Sequence, residues 1–297
     1  MADCLGNFME KRVALVLEVT IAVDVLFQVV QTAEMYEKDS TRYVFEAVSL
    51  GMLVVSMLYF AWSSIVKENA FELLSFLSFA CIVNFHGIYM SATHIDSPVF
   101  AYVGYAVQGL CQLLYFVTCY YAYQTFGWRM ISEAQTTNMV LLSALKIYET
   151  FVAVLKVDFI LCLFMYATYT YYILVDWKEV AYLFCTIAAL ILLAFLAYFI
   201  LGVISVIKEH KPGFVLFLIF DPFCEALKLY FAVTILLAPG RSVDKFVLIQ
   251  FLVIAIADFA ASLLVLGLGL LLLKSFKQGL RSILERVERR GIVKPFI

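Results

Sequence analysis

Three ionisable residues, Asp221, Glu225 and Lys228, lie inside an apolar stretch, Phe214 to Ala238, that is long enough to cross a bilayer. Their i, i+4, i+7 spacing puts all three on one face of a helix. An ionised side chain near the bilayer centre costs about 2.5–3.5 kcal/mol on insertion scales, so such groups turn toward protein or water and find partners. In that setting carboxylates and an ammonium can hold, offset or relay a small cation or a proton.

The partners must come from other membrane-crossing segments. Glu18 and Asp24 interrupt the first apolar run, Lys156 and Asp158 lie in a middle one, and Asp258 is near the centre of the last. At about 1.5 Å per residue, Glu18, Lys156, Asp158 and Asp221 come out shallow, whereas Asp24, Glu225, Lys228 and Asp258 fall near the midplane. Depth therefore predicts a meeting of Asp24, Glu225 and Asp258 with Lys228. Three acids against one base leave negative charge for a cation or proton to offset. Lys156 and Asp158 stand about 200° apart on a helix and cannot pair with each other, so Lys156 is expected to turn to Asp221 or Glu18.

The same residues admit a structural reading. Glu225 and Lys228, at i, i+3, can neutralise each other, and buried ion pairs also serve helix packing. Pro222 removes a backbone donor and can loosen the helix beside the charged face. A lysine with acids a turn or two away would also suit a retinal Schiff base, but eight spans and the lack of any other matching pattern speak against it.

The elements that must carry these residues follow from composition. At 64% hydrophobic and 15% charged over 297 residues, with a mean hydropathy of +0.96, the chain lacks the polar outer faces of a soluble all-α domain. The fold class expected is an all-α polytopic transmembrane helix bundle over residues 1–273, followed by a basic tail over 274–297. Eight spans are predicted, near 13–33, 43–66, 71–91, 99–124, 140–174, 179–206, 214–238 and 246–273, with seven as the alternative count. The fifth is too long for one straight crossing, so Asn138 to Tyr148 is expected along the interface. Glu18 and Asp24 break any signal-peptide pattern, so the first run is read as a span that stays.

Lysine and arginine set the orientation. Thirteen lie on the side of both termini and 5 on the other, Lys146, Lys156 and Lys228 being left out as intramembrane, so both termini are expected in the cytosol. Seven of the basic residues follow Leu273, among them Lys274, Lys277 and Arg281. With Phe276, Leu280, Ile283, Leu284 and Val287 at helical spacing, they predict an amphipathic helix on the membrane surface, facing anionic lipid or a cytosolic protein.

Other signals have bland explanations. The seven cysteines show no paired spacing and act as small hydrophobes. His86 suits a hydrogen-bonded core position better than a proton relay. Ala257, Ala261, Gly267 and Gly269 offer small surfaces for helix packing. No nucleophile elbow, zinc-protease motif or phosphate loop occurs. No cofactor, metal, nucleic acid or enzymatic activity is therefore expected.

Three stretches carry a family likeness: residues 68–94, ENAFELLSFLSFACIVNFHGIYMSATH; residues 126–159, from FGWR to LKVDF; and residues 275–284, SFKQGLRSIL. With Phe126, Gly127, Trp128, Arg129, Tyr148, Phe151, Leu155, Lys156, Asp158, Phe159, Phe276, Gly279, Leu280 and Arg281 in order, the chain resembles the fungal family of uncharacterised Golgi-apparatus membrane proteins. It reads SEAQTT where that family has a basic run after FGW. The resemblance implies a seven- or eight-helix bundle in the Golgi or another endomembrane, and no activity. Trp128 and Arg129 suit the cytosolic interface.

Three functions stay open at this point. One is a protein that moves or conducts a small cation or proton through an acidic cluster. Another is a non-transporting structural or adaptor subunit of a homo- or hetero-oligomer, and the third is a receptor-like bundle.

Overall fold

The structure, a computed structural model, describes residues 2–36, 40–67, 69–93, 98–134, 139–176, 181–237 and 245–276. Their regular elements are eight α-helices: α1 (Ala2–Tyr36), α2 (Ser40–Lys67), α3 (Ala70–Thr93), α4 (Pro98–Ala134), α5 (Met139–Asp176), α6 (Ala181–Ile207), α7 (Lys211–Leu237) and α8 (Lys245–Ser275). Among the described residues seven helices are long and apolar enough to cross a membrane. The remaining one, α7, has the length at 27 residues but carries Asp221, Glu225 and Lys228 in its apolar run. The protein is a multi-pass membrane helix bundle.

The chain forms two compact units, Met1–Glu133 and Ala134–Ile297. In the first, α2 packs on α3, and α1 packs on both. Its core holds Met57, Phe60, Phe76, Phe79 and Tyr115, all fully buried. Phe60 stacks on Phe79 at 5.5 Å, and Phe76 meets Tyr115 edge-on at 5.4 Å. Asn69 caps α3, its Oδ1 accepting from the backbone N–H of Phe71 at 2.8 Å, which satisfies one of the orphan donors of the first turn.

In the second unit α5 packs most extensively on α8, and α6 and α7 complete the bundle. The α7 sequence explains its placement. Phe214, Phe217, Leu218, Asp221, Glu225, Lys228 and Ala232 recur at three- and four-residue steps and are buried, whereas Val215, Leu216, Ile219, Phe220, Phe223 and Tyr230 are exposed. One helix face thus goes to protein and the other offers apolar surface to lipid. The α6–α7 turn is tight: Glu209 takes a positive φ of 48°, and the His210 N–H donates to the Ser205 carbonyl at 2.8 Å.

Three expectations change. The fifth span is one continuous 38-residue helix. Leu142, Ala144 and Leu145 in its first turns are buried. Phe276, expected on the membrane-facing apolar face of the tail helix, is buried against protein, its ring 5.2 Å from that of Phe214; the remainder of the tail lies outside the described residues. Of the small residues on α8, Ala261 is buried and Gly269 is in close contact with Leu218, but Gly267 faces open space.

Candidate functional site

The charged face of α7 finds its partners on α5 and α8. The Lys228 ammonium pairs with Glu225 on its own helix, lies 2.9 Å from Asp258 Oδ2 on α8, and is 3.5 Å from Asp158 Oδ1 on α5. All four residues are buried. Oxygens of Asp158, Glu225 and Asp258 lie within 4.8 Å of one another, a spacing that could hold a metal ion; the tethered ammonium takes that position. One base faces three acids, a formal surplus of two negative charges. Asp258 Oδ1 has no hydrogen-bond donor, so the cluster keeps an unsatisfied acceptor away from water.

Asp221, one turn before Glu225, belongs to a neighbouring set. Tyr198 on α6 donates its hydroxyl to Asp221 Oδ1, and Ser262 on α8 lies 3.4–3.5 Å from both carboxylate oxygens. Tyr198 is held by stacking on Phe217 at 4.5 Å, and that ring occupies the gap left by Gly202. Tyr198→Phe is expected to cost about 1–3 kcal/mol, because the long Ser262 contacts cannot replace the lost donor. Thermal unfolding of the detergent-solubilised protein measures this, and an unchanged midpoint would remove Tyr198 from the site.

Two small cavities adjoin Lys228. One, of about 30 Å³, is lined by Cys162, Met165, Tyr166, Tyr169, Ile191, Phe195 and Phe251 with Lys228. The other, of about 10 Å³, is bounded by Asp158, Tyr198, Asp221, Cys224, Glu225 and Lys228 among others. Each has room for about one water molecule. The ammonium also lies 5.8 Å from the centre of the Phe195 ring, within cation–π range. Lys228 thus borders an aromatic space on one side and a carboxylate-lined space on the other.

The expected constellation changes in one member. Three acids do meet Lys228, but Asp158 fills the place expected of Asp24. Because α5 runs unbroken from Met139, Asp158 is about halfway along it and reaches the level of Lys228. Asp24 lies in the first unit, where Tyr115 donates to its Oδ2 at 2.9 Å. Glu18 is exposed and is no part of a polar core. The buried stripe of α1 runs through Leu17, Ile21, Asp24, Gln28 and Gln31, and Glu18 points about 90° away from it. Lys156 is buried on α5, while Asp221 is engaged by Tyr198 and Ser262. Trp128 and Arg129 fall in the last turns of α4, beyond its apolar run, with side chains outside the described residues. Lys274 is exposed in the last turn of α8; Lys277 and Arg281 lie outside the described residues.

Sequence reasoning passed over the uncharged members. Asp24, Gln28 and Gln31 on α1, and Gln108, Gln112 and Tyr115 on α4, repeat the i, i+4, i+7 spacing that singled out α7. In the structure these two triplets face each other: Tyr115 donates to Asp24, and Gln108 donates to Gln31 Oε1 at 3.0 Å. Scanning for any polar side chain at that spacing inside apolar runs would have found both.

No family model, curated protein or solved structure matches the chain.

Proposed function

We propose that this protein moves or conducts a small cation or a proton through the membrane, with Lys228 and the carboxylates of Asp158, Glu225 and Asp258 as the translocating site. The observation that carries this reading is one tethered ammonium held by carboxylates from three helices with acid in excess. An incoming cation competes with Lys228 for the same oxygens; when the ammonium swings toward Phe195 and the aromatic cavity, three carboxylates are left to receive it. Pro222 helps, because the N–H it lacks frees the carbonyl four residues earlier, next to the charged face. The FGWR, LKVDF and SFKQGLRSIL elements support residence in the Golgi or another endomembrane. The lysine and arginine bias supports cytosolic termini, with the basic tail on anionic lipid or a cytosolic partner.

The test is flux in proteoliposomes. Wild type is expected to carry protons or alkali ions, and Glu225→Gln and Asp258→Asn are expected to fold yet lose flux by tenfold or more. If wild type shows no flux and the variants lose only expression or assembly, the alternative holds: a non-transporting structural, adaptor or receptor-like subunit. The observation on that side is the small free volume around Lys228, which suits a static ion-pair knot.

A further inference from the structure

Asp24 is wholly buried midway along the apolar run of α1, Val13–Ala33. Tyr115 donates to its Oδ2, the Gln28 amide one turn on also reaches the carboxylate, and no hydrogen bond of standard geometry ends on its Oδ1. Beyond it stretches a file of amides, each with one of its two N–H donors engaged. Gln28 donates to the Val83 carbonyl, Gln31 to Ser91, Gln108 to Gln31, and Asn84 to Gln112. Along the file three acceptors, Asp24 Oδ1, Asn84 Oδ1 and Gln108 Oε1, are buried without a hydrogen-bond partner. Gln108, Gln112 and Tyr115 span about 10 Å of α4 in one-turn steps. Gly87 keeps the file open, since a Cβ there would run into the amides of Gln28 and Gln108.

Charge decides what such a file can receive. The six lysines and arginines of the first unit, Lys11, Arg12, Lys38, Arg42, Lys67 and Arg129, all lie outside the four apolar runs of that unit. A buried carboxylate with unsatisfied acceptors along the same file is costly to keep ionised unless something positive joins it. One negative charge calls for one positive charge. We propose that Asp24 is a second seat for a small monovalent cation, a proton or an alkali ion, at one end of this file of amide oxygens. The seat shares no residue with the Lys228 cluster and does not depend on its role.

Dicyclohexylcarbodiimide reports on such a seat, because it attaches to protonated carboxyls in apolar surroundings, and peptide mass spectrometry then locates the adduct. The full-length protein, purified in detergent, is treated in choline chloride across pH 6–9, with and without NaCl, KCl or LiCl. An adduct on Asp24 that alkali salt suppresses assigns an alkali ion. An adduct indifferent to alkali salt but falling about tenfold per pH unit once the carboxyl ionises assigns the proton. In either case Asp24→Asn loses the adduct and Tyr115→Phe keeps it. Absence of an adduct on Asp24 under all conditions, or an adduct that responds to neither pH nor salt, overturns the proposal.

Discussion

Replacing Lys228 by methionine is expected to lower the stability of the protein by about 3–5 kcal/mol, the cost of stripping one partner from a buried ion pair. Methionine keeps the length and apolar stem of the side chain, so packing beside Phe195 survives and the loss isolates charge. Asp258 and Asp158, now 2.9 and 3.5 Å from the ammonium, and Glu225 beside them would face one another with nothing between. Adding Asp258→Asn to the Lys228→Met chain should recover part of that loss. A coupling well above 0.5 kcal/mol in the double-mutant cycle is the signature of direct contact. Neutralising all four residues together goes further: such a chain should approach wild-type stability, because well-packed neutral groups often match a buried ion pair, yet carry no flux. Thermal unfolding in detergent and flux in liposomes give the two readings. A Lys228→Met protein that melts with wild type would refute the ion cluster itself.

How far the site could be read beforehand depends on what each clue measures. The face formed by Asp221, Glu225 and Lys228 was legible because helical spacing inside an apolar run fixes azimuth, and azimuth survives any error in depth. Asp258 was legible because the middle of a long span is the middle wherever its ends fall. Asp158 was set too shallow because the first turns of α5 were given to the interface, whereas Leu142, Ala144 and Leu145 are buried along one unbroken helix. Asp24 was grouped with Lys228 on depth alone, and depth says nothing about which helices are neighbours. Glu18 went astray for the complementary reason: its place along α1 was considered and its direction was not. The helix count followed from hydropathy, as did most boundaries, although α1 starts well before its apolar run and α4 ends well after its own; the division into two compact units did not. The glutamines drew no notice because they carry no charge, although burying one without partners costs about as much as breaking a buried hydrogen bond.

Gly87 offers the sharpest probe of the first unit, and Gly87→Leu is expected to cost about 3–5 kcal/mol. A side chain there meets two amides at once, those of Gln28 and Gln108. These groups anchor α1 to the Val83 carbonyl on α3 and join α4 to Gln31 on α1. Overpacking alone costs about 1–3 kcal/mol, and each buried amide torn from its partner adds about 1–3 more. Gly109, on α4 one residue past Gln108, is the control: it is exposed with nothing within 4 Å of an added Cβ. Gly109→Ala should therefore stabilise by about 0.8–1 kcal/mol through helix propensity. The contrast between neighbouring helices of one unit separates loss of the polar file from the general effect of filling a glycine. Comparable melting of the two variants would show that α3 does not press against these amides. A Gly87→Leu protein that unfolds early while Gly109→Ala melts late would place the missing Cβ, and not the flexibility of glycine, at the origin of the seam.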